Sequence, residues 1–288
     1  MGQVLGVIGG SGIYEVPGLS AMERIAVQTP YGPPSDVVVR GRLGDTTLLF
    51  LPRHGRDHRI PPHSINARAN VCALKQLGAR QVISISAVGS MRAEIAPGHV
   101  VVVDQFIDLT RHRVSSFFEG DVVAHVGFAD PVCPALAAAL AAAAGRAGAT
   151  VHPRGTYVCI DGPQFSTRAE SLLYRSWGVS VVGMTAMPEA KLAREAQLPY
   201  AVLALATDYD CWHETEEAVT VDAVLAVMRE NTALAQRTVA ALVASLPDPD
   251  RSPASRALVG AVMTRPEAVS PESRARLDWL LDEELKPR

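Results

Sequence analysis

The chain has 288 residues, a formal net charge of −3, and 48% hydrophobic against 20% charged residues. Such a balance supports a large buried core and excludes disorder over most of the length. A mildly acidic chain without a block of like charges is not built to hold nucleic acid or an anionic membrane, whereas a small anion needs positive charge at one point only. The four cysteines (Cys72, Cys133, Cys159, Cys211) are widely spread and form no CxxC pair. They read as reduced thiols of a cytoplasmic protein rather than a disulfide framework or a zinc site. The first residues lack a basic stretch and their apolar run breaks at glycines, so neither a leader nor a membrane span is expected there.

Val4 to Ile8 is an apolar run ending in Gly9-Gly10-Ser11-Gly12, a buried strand feeding a tight turn. Val37–Arg42 and Thr46–Leu51 flank Leu43-Gly44-Asp45 as a hairpin. Apolar residues near helical spacing predict a helix over Ser64–Leu77, closed by Gly78. Strands follow at Gln81–Ser86 and at Val100–Val103, the latter too short and too β-branched for a helix. The Ala-rich Pro134–Gly148 is helical, and Thr156–Ile160 is a strand. Thr167-Arg-Ala-Glu170 is a capping box opening a helix that closes at Gly178. Val179–Val182 is a strand, Pro188–Gln197 a helix, Tyr200–Ala206 a strand and Val221–Leu246 a long final helix. Strands alternating with helices predict an α/β fold with a largely parallel sheet covered on both faces. Residues 247–253, rich in Pro and Asp, read as a linker, followed by two short helices, the second with Ser270 as N-cap and Pro271 at its first position.

In such folds ligands gather at the carboxyl ends of strands. The glycine turn at 9–12 offers backbone N–H groups and the Ser11 hydroxyl, either as an anion nest or as a plain chain reversal. It is neither a Walker A loop nor GxGxxG, since Glu15 stands in the third glycine's place. Pro52-Arg53-His54-Gly55-Arg56-Asp57-His58 suits an anion, because an arginine fork matches phosphate oxygens. A metal on His54 and His58 is the weaker reading: Pro52 and Gly55 oppose a helix and two arginines repel a cation. A surface loop is the plain alternative. In Thr207-Asp208-Tyr209-Asp210 an extended backbone points both carboxylates to one face, where mutual repulsion keeps one protonated as a donor; a solvated acidic turn is the alternative. Phe165 either stacks on a flat base or packs in the core. Together these groups suit attack of phosphate on a glycosidic bond with a heterocyclic leaving group. Phosphate needs donors, the leaving base needs a proton, and a cation-like sugar needs little activation of its nucleophile.

The ordered motifs IGGSGIY, PRHGRDH, SAVGSMRAEIAPG, DQFIDLT, IDGPQFSTRAES, VVGMTAMPEAKLARE and ATDYDCW resemble those of the trimeric purine nucleoside phosphorylases, within them the branch that cleaves 5′-methylthioadenosine. The resemblance runs from about Val4 to about Leu246. It implies a single domain over 1–246, a twisted mixed sheet flanked by helices, assembled as a homotrimer or a hexamer of two trimers. The implied reaction is phosphorolysis of methylthioadenosine to adenine and 5-methylthioribose 1-phosphate. Nucleoside and inorganic phosphate are the implied partners, with no metal and no organic cofactor. Ser11, Arg53, His54, Ser86, Ala87 and Thr185 fall on phosphate-binding positions, Met184 on the ribose position and Phe165 beside the purine. Asp208 falls on the carboxyl group that meets purine N7 and donates a proton there, and Asp210 on its partner toward the 6-amino group. His125 matches a histidine that reaches a neighbouring subunit's 5′ pocket. Ser11 and Ser86 replace threonines and keep the hydroxyl; Gln164 stands where arginine is expected. By the same resemblance residues 254–288 form a lid in which Leu277 and Leu281, with Trp279 and Leu280, line the 5′ pocket, whereas periodicity alone reads them as packing residues. A 6-oxopurine nucleoside phosphorylase and a non-catalytic purine-binding protein are the alternatives.

Overall fold

The computed structural model describes residues 2–10, 12–213 and 221–281, with side chains in the last segment given for Val227 and from Arg229 onward. In chain order its elements are β1 (Val4–Gly9), β2 (Ser20–Ile25), β3 (Val38–Leu43), β4 (Thr46–Pro52), α1 (Ala67–Gln76), β5 (Gln81–Ser90), β6 (Val100–Val103), β7 (Gln105–Asp108), α2 (Pro134–Arg146), β8 (Val151–His152), β9 (Thr156–Cys159), α3 (Arg168–Ser176), β10 (Val181–Gly183), α4 (Ala186–Glu195), β11 (Tyr200–Asp208), α5 (Val221–Val243) and α6 (Pro271–Leu277). The alternation of α and β is as expected, and so is the mixed sheet: of the ten pairings among the described residues, six are parallel. β2, β7 and β8 are additions to the expected set.

Side chains of a strand alternate between the two faces of a sheet, and here that alternation sorts the apolar residues into two cores. Ile8, Leu49, Leu51, Val101, Val103, Val202 and Ala204 face one core with α1, α4 and α6; Val7, Leu48, Phe50, Val100, Val102, Ala201 and Leu203 face the other with α2 and α5. Both faces being covered explains why β4, β6 and β11 read as unbroken apolar runs. Burial also pushes the Cys72 and Cys159 thiols up to about 12, so both are protonated packing groups.

β5 determines where the sheet opens. Along one edge it pairs with β11 from Val82 to Gly89. Along the other it pairs with β1 from Gln81 to Ser84 and then, antiparallel, with β10 at Gly89 and Ser90. Between Ser84 and Gly89 that edge has no strand partner among the described residues, and Ala87 is exposed in an otherwise buried strand. The sequence places this element's end at Ser86; it continues to Ser90 because β10 takes over the pairing.

The carboxyl-terminal segment is sewn to the domain. Asp121 accepts hydrogen bonds from the Ser270 backbone N–H and the Ser273 hydroxyl, which hold its carboxyl down to about 2. Ser270 caps α6 as expected, accepting from the Ser273 N–H. The stretch read as a linker is also tied down: Gln81 donates to the Pro247 carbonyl and Arg80 pairs with Asp250. Leu277 and Leu281 depart from the reading as 5′-pocket residues. They are 0% and 2% exposed inside the α1/α4 core, beside Trp279, whose ring stands edge-on to Phe117 at 4.9 Å. The packing reading from periodicity describes them better, because a leucine with no accessible surface in the closed chain has no face left for a ligand. Leu277→Ala is expected to lower the unfolding free energy by about 2–5 kcal/mol in urea titrations. A loss below about 1 kcal/mol, with altered preference for the 5′ substituent, would return this residue to the pocket.

Candidate active site

The carboxyl ends of β1, β4, β5, β10 and β11 bring most of the expected residues to the opening along β5. Pro52 ends β4 opposite Gly9 of β1, and the Arg53 N–H donates to the Gly9 carbonyl at 2.8 Å. Arg53 therefore enters the gap where β1 and β5 part. Its guanidinium is 2% exposed and donates to the Ile85 carbonyl (3.0 Å), the Ile8 carbonyl (3.4 Å), Ser84 Oγ (2.7 Å) and both carboxylate oxygens of Glu189 (2.9 and 3.2 Å). Burial works against its charge, but the adjacent Glu189 outweighs that and raises the pKa further. Tyr200 donates to the same carboxylate at 2.8 Å.

His54 follows on the rim, half-buried. Its Nδ1 lies 2.8 Å from the Ile60 carbonyl and its ring stacks on His58 at 4.1 Å. Burial pushes its pKa down to about 4, opposed by the bond to Ile60 and assisted by Arg53 and His58. The ring is thus neutral near pH 7, with the proton on Nδ1. The loop turns sharply at Gly55, where φ is 68°.

Ser86 and Thr185 come together across the opening. Their hydroxyl oxygens are 3.3 Å apart, and the Tyr157 hydroxyl lies 3.4 Å from both Ser86 Oγ and the Thr185 nitrogen. Tyr157 reaches this point only because residue 183 is glycine: a Cβ there would stand 2.0 Å from the tyrosine oxygen. Burial lifts the Tyr157 phenol to about 12, which keeps it a proton donor. Met184, next in the chain, packs its sulfur against Gly162, where a Cβ would come within 2.4 Å.

On the far side of Ala87, Asp208 and Asp210 both pack against Gly89. A Cβ at Gly89 would lie 3.2 Å from Asp208 Oδ1 and 3.4 Å from Asp210 Cβ, so glycine makes room for both. Thr207 Oγ1 stands 2.6 Å from Asp208 Oδ2 and 3.2 Å from the Val88 carbonyl. Asp210 Oδ2 is buried with no hydrogen-bond partner among the described residues.

Of the remaining expected residues, one is not described and two are exposed. Ser11 lies outside the described residues. Phe165 is 84% exposed at the tip of the loop after β9. His125 is exposed on a separate surface, bonded through its backbone N–H to the Ala261 carbonyl.

A family model described as the phosphorylase superfamily matches residues 4–244. The chain belongs to that superfamily. It is 54% identical over 282 residues to S-methyl-5′-thioadenosine phosphorylase of Geobacter sulfurreducens, covering 98% of this chain and 99% of that protein. The Cereibacter sphaeroides enzyme of the same name is 50% identical, over 99% of this chain and all of its own length. Among solved structures, a methylthioadenosine phosphorylase from an antarctic soil metagenomic library superposes with a TM-score of 0.93 at 46% identity, covering 97% of this chain and 99% of that one. A variant of the Schistosoma mansoni adenosine/methylthioadenosine phosphorylase in complex with adenine gives 0.84 at 35% identity, over 91% and 99%.

Within this phosphorylase scaffold, four residues of the site escape the sequence reading: Glu189, Tyr200, Tyr157 and Arg113. Arg113 clamps the loop after β9 to the loop that opens α4. It donates to the carbonyls of Met184 and Met187 (each 2.8 Å), of Asp161 (2.7 Å) and of Ile160 (3.4 Å), and pairs with the Asp161 carboxylate at 3.1 Å. The one usable signal was Glu189, a carboxylate flanked by apolar residues in an early helical turn, which demands a buried cation.

His54 makes acid stability testable. Its pKa is about 4 in the folded chain against an ordinary 6.5, so between those values the unfolded chain binds the extra proton. The associated stability is present above about pH 6.5 and is lost as the pH falls toward 4. His54→Asn offers the Ile60 carbonyl an amide N–H that does not titrate, and is expected to flatten the decline of Tm across that window. An identical decline in wild type and variant would assign the acid sensitivity elsewhere.

Proposed function

We propose that this chain is a 5′-methylthioadenosine phosphorylase, cleaving the nucleoside with inorganic phosphate to adenine and 5-methylthioribose 1-phosphate. The observation that carries the reading is the arrangement on either side of the exposed Ala87: paired hydroxyls of Ser86 and Thr185 toward one end, paired carboxylates of Asp208 and Asp210 toward the other. Phosphate belongs with the hydroxyls, where Arg53 and the Ala87 backbone add further donors. Neutral His54, with Nδ1–H toward Ile60, presents Nε2 as an acceptor for the O–H of a protonated phosphate.

The purine belongs over Gly89. Asp210 Oδ2 is the acceptor for an exocyclic amino group, which favours adenine over a 6-oxopurine. Thr207 has one hydroxyl proton and two acceptors in reach, Asp208 and the Val88 carbonyl. In this reading Asp208 supplies the proton that the leaving base requires at N7. As the bond from C1′ to N9 breaks, its electron pair passes into the purine, Asp208 protonates N7, and a phosphate oxygen bonds to C1′. Met184 supports the ribose and Phe165 covers the purine face. No metal and no organic cofactor enters this scheme, and phosphate is a co-substrate.

The same reading places the enzyme in the cytoplasm as a homotrimer. His125 stands beside the exposed apolar side chains of Val123, Val259 and Met263, a surface suited to a neighbouring protomer whose 5′ pocket the histidine would enter.

Adenine release from methylthioadenosine, adenosine, 5′-deoxyadenosine and inosine, each with and without phosphate, tests the proposal. Phosphate-dependent release favouring methylthioadenosine is expected, and preference for inosine or turnover without phosphate would overturn it. Asp208→Asn is expected to lower kcat by about 10²–10⁴ by removing the proton donor. Its phosphate KM should stay within about threefold of wild type, because the carboxyl group lies on the purine side. Wild-type turnover in that variant would remove Asp208 from the mechanism.

A further inference from the structure

Arg53 falls on a phosphate position, yet its guanidinium is already engaged. Nε and Nη2 are taken by Glu189, Nη2 also by Ser84 Oγ and the Ile8 carbonyl, and one N–H of Nη1 by the Ile85 carbonyl. Among the described residues this leaves the second N–H of Nη1 for a ligand. Arg53 therefore has at most this one donor to offer a ligand, and the group that fixes it is Glu189.

Glu189 is 3% exposed, in the turn of α4 that follows Pro188. It grips the guanidinium with both oxygens, the geometry that sets the plane of an arginine as well as its position. Tyr200 Oη, 2.8 Å from Oε1, stops the carboxylate rotating away. The opposite charge also lets a guanidinium stay buried in the cleft before any anion arrives.

We infer that Glu189 is a positioning residue for phosphate: it aims the remaining Arg53 N–H into the cleft and holds it there in the empty enzyme. The inference rests on the phosphorolysis reading of the site. Among the described residues the Glu189 side chain bonds Arg53 and Tyr200 and no group assigned to the base or sugar, so its loss is expected to fall first on phosphate.

Glu189→Gln replaces one acceptor oxygen with an NH2 that confronts the donors of Arg53 and Tyr200. The phosphate KM is expected to rise about tenfold or more, with the methylthioadenosine KM within about threefold and kcat at saturating phosphate largely kept. Tyr200→Phe, which leaves the arginine–carboxylate pair intact, should raise the phosphate KM by less than about threefold. Glu189→Asp keeps the charge but shortens the reach. It is the variant to read if the glutamine form does not fold, and its phosphate KM should rise selectively. An unchanged phosphate KM in a folded variant overturns the inference, and so does a parallel rise of both KM values, which is the mark of general structural damage. The rise in Tm on adding inorganic phosphate gives a second readout, expected to be large in wild type and reduced in Glu189→Gln. Wild-type protein that is stabilised by phosphate but releases no adenine would sink the reaction and still leave Glu189 to be judged by the thermal shift.

Discussion

A guanidinium buried in the fork of a sheet is the constraint around which this molecule is arranged. β1 and β5 run together to Ser84 and then separate, and Arg53 fills the gap by donating to carbonyls on both strands. A charge in that position demands a counter-charge, so α4 must begin where Glu189 can reach it. The start of α4 in turn fixes Thr185 opposite Ser86, with Met184 against Gly162. Arg113 joins that loop to the one after β9. One unpaired stretch of β5 thus becomes a cleft with walls from four other strands.

Around Arg53 and His54 the cleft is polar but weakly charged. Glu189 cancels Arg53, and burial keeps His54 neutral near pH 7. An anion held there is met by directed N–H and O–H groups more than by a long-range field, and such contacts are less screened by salt than surface charge. This reconciles a phosphate-using enzyme with a chain of net charge −3. It also separates two kinds of group: hydroxyls and a fixed arginine toward one end, carboxylates toward the other, with Ala87 and Gly89 between them.

The sequence was most legible where one physical rule dominated. Runs such as Val100–Val103 are β-branched and buried on both faces, and the capping box at Thr167 and Glu170 forms with both of its halves. β2 was invisible because Ser20–Ile25 is an exposed edge strand whose side chains face solvent and carry no alternation. β7 and β8 are too short to show a period. In the site, Arg53, Thr185, Asp208 and Asp210 were legible because they stand at or just past strand ends in motifs, and Ser86 because it sits in such a motif although β5 runs on to Ser90. Arg113 was not, since most of what it holds is backbone carbonyl oxygen, and a carbonyl has no signature in sequence. Leu277 and Leu281 show the reverse failing: the resemblance suggested a pocket, while plain amphipathic spacing described where they are buried.

The cysteines of the two cores carry a practical consequence. Cys159 ends β9 directly beneath the cleft, with its sulfur bonded to the backbone of Met187, and burial holds its thiol near 12. Thiolate is the form that oxidants and alkylating reagents attack. A reagent can reach this sulfur only when β9 and the start of α4 part, so the rate of its labelling is a clock for the opening of the cleft floor. The same burial that packs this part of the enzyme ties the oxidation of Cys159 to that motion.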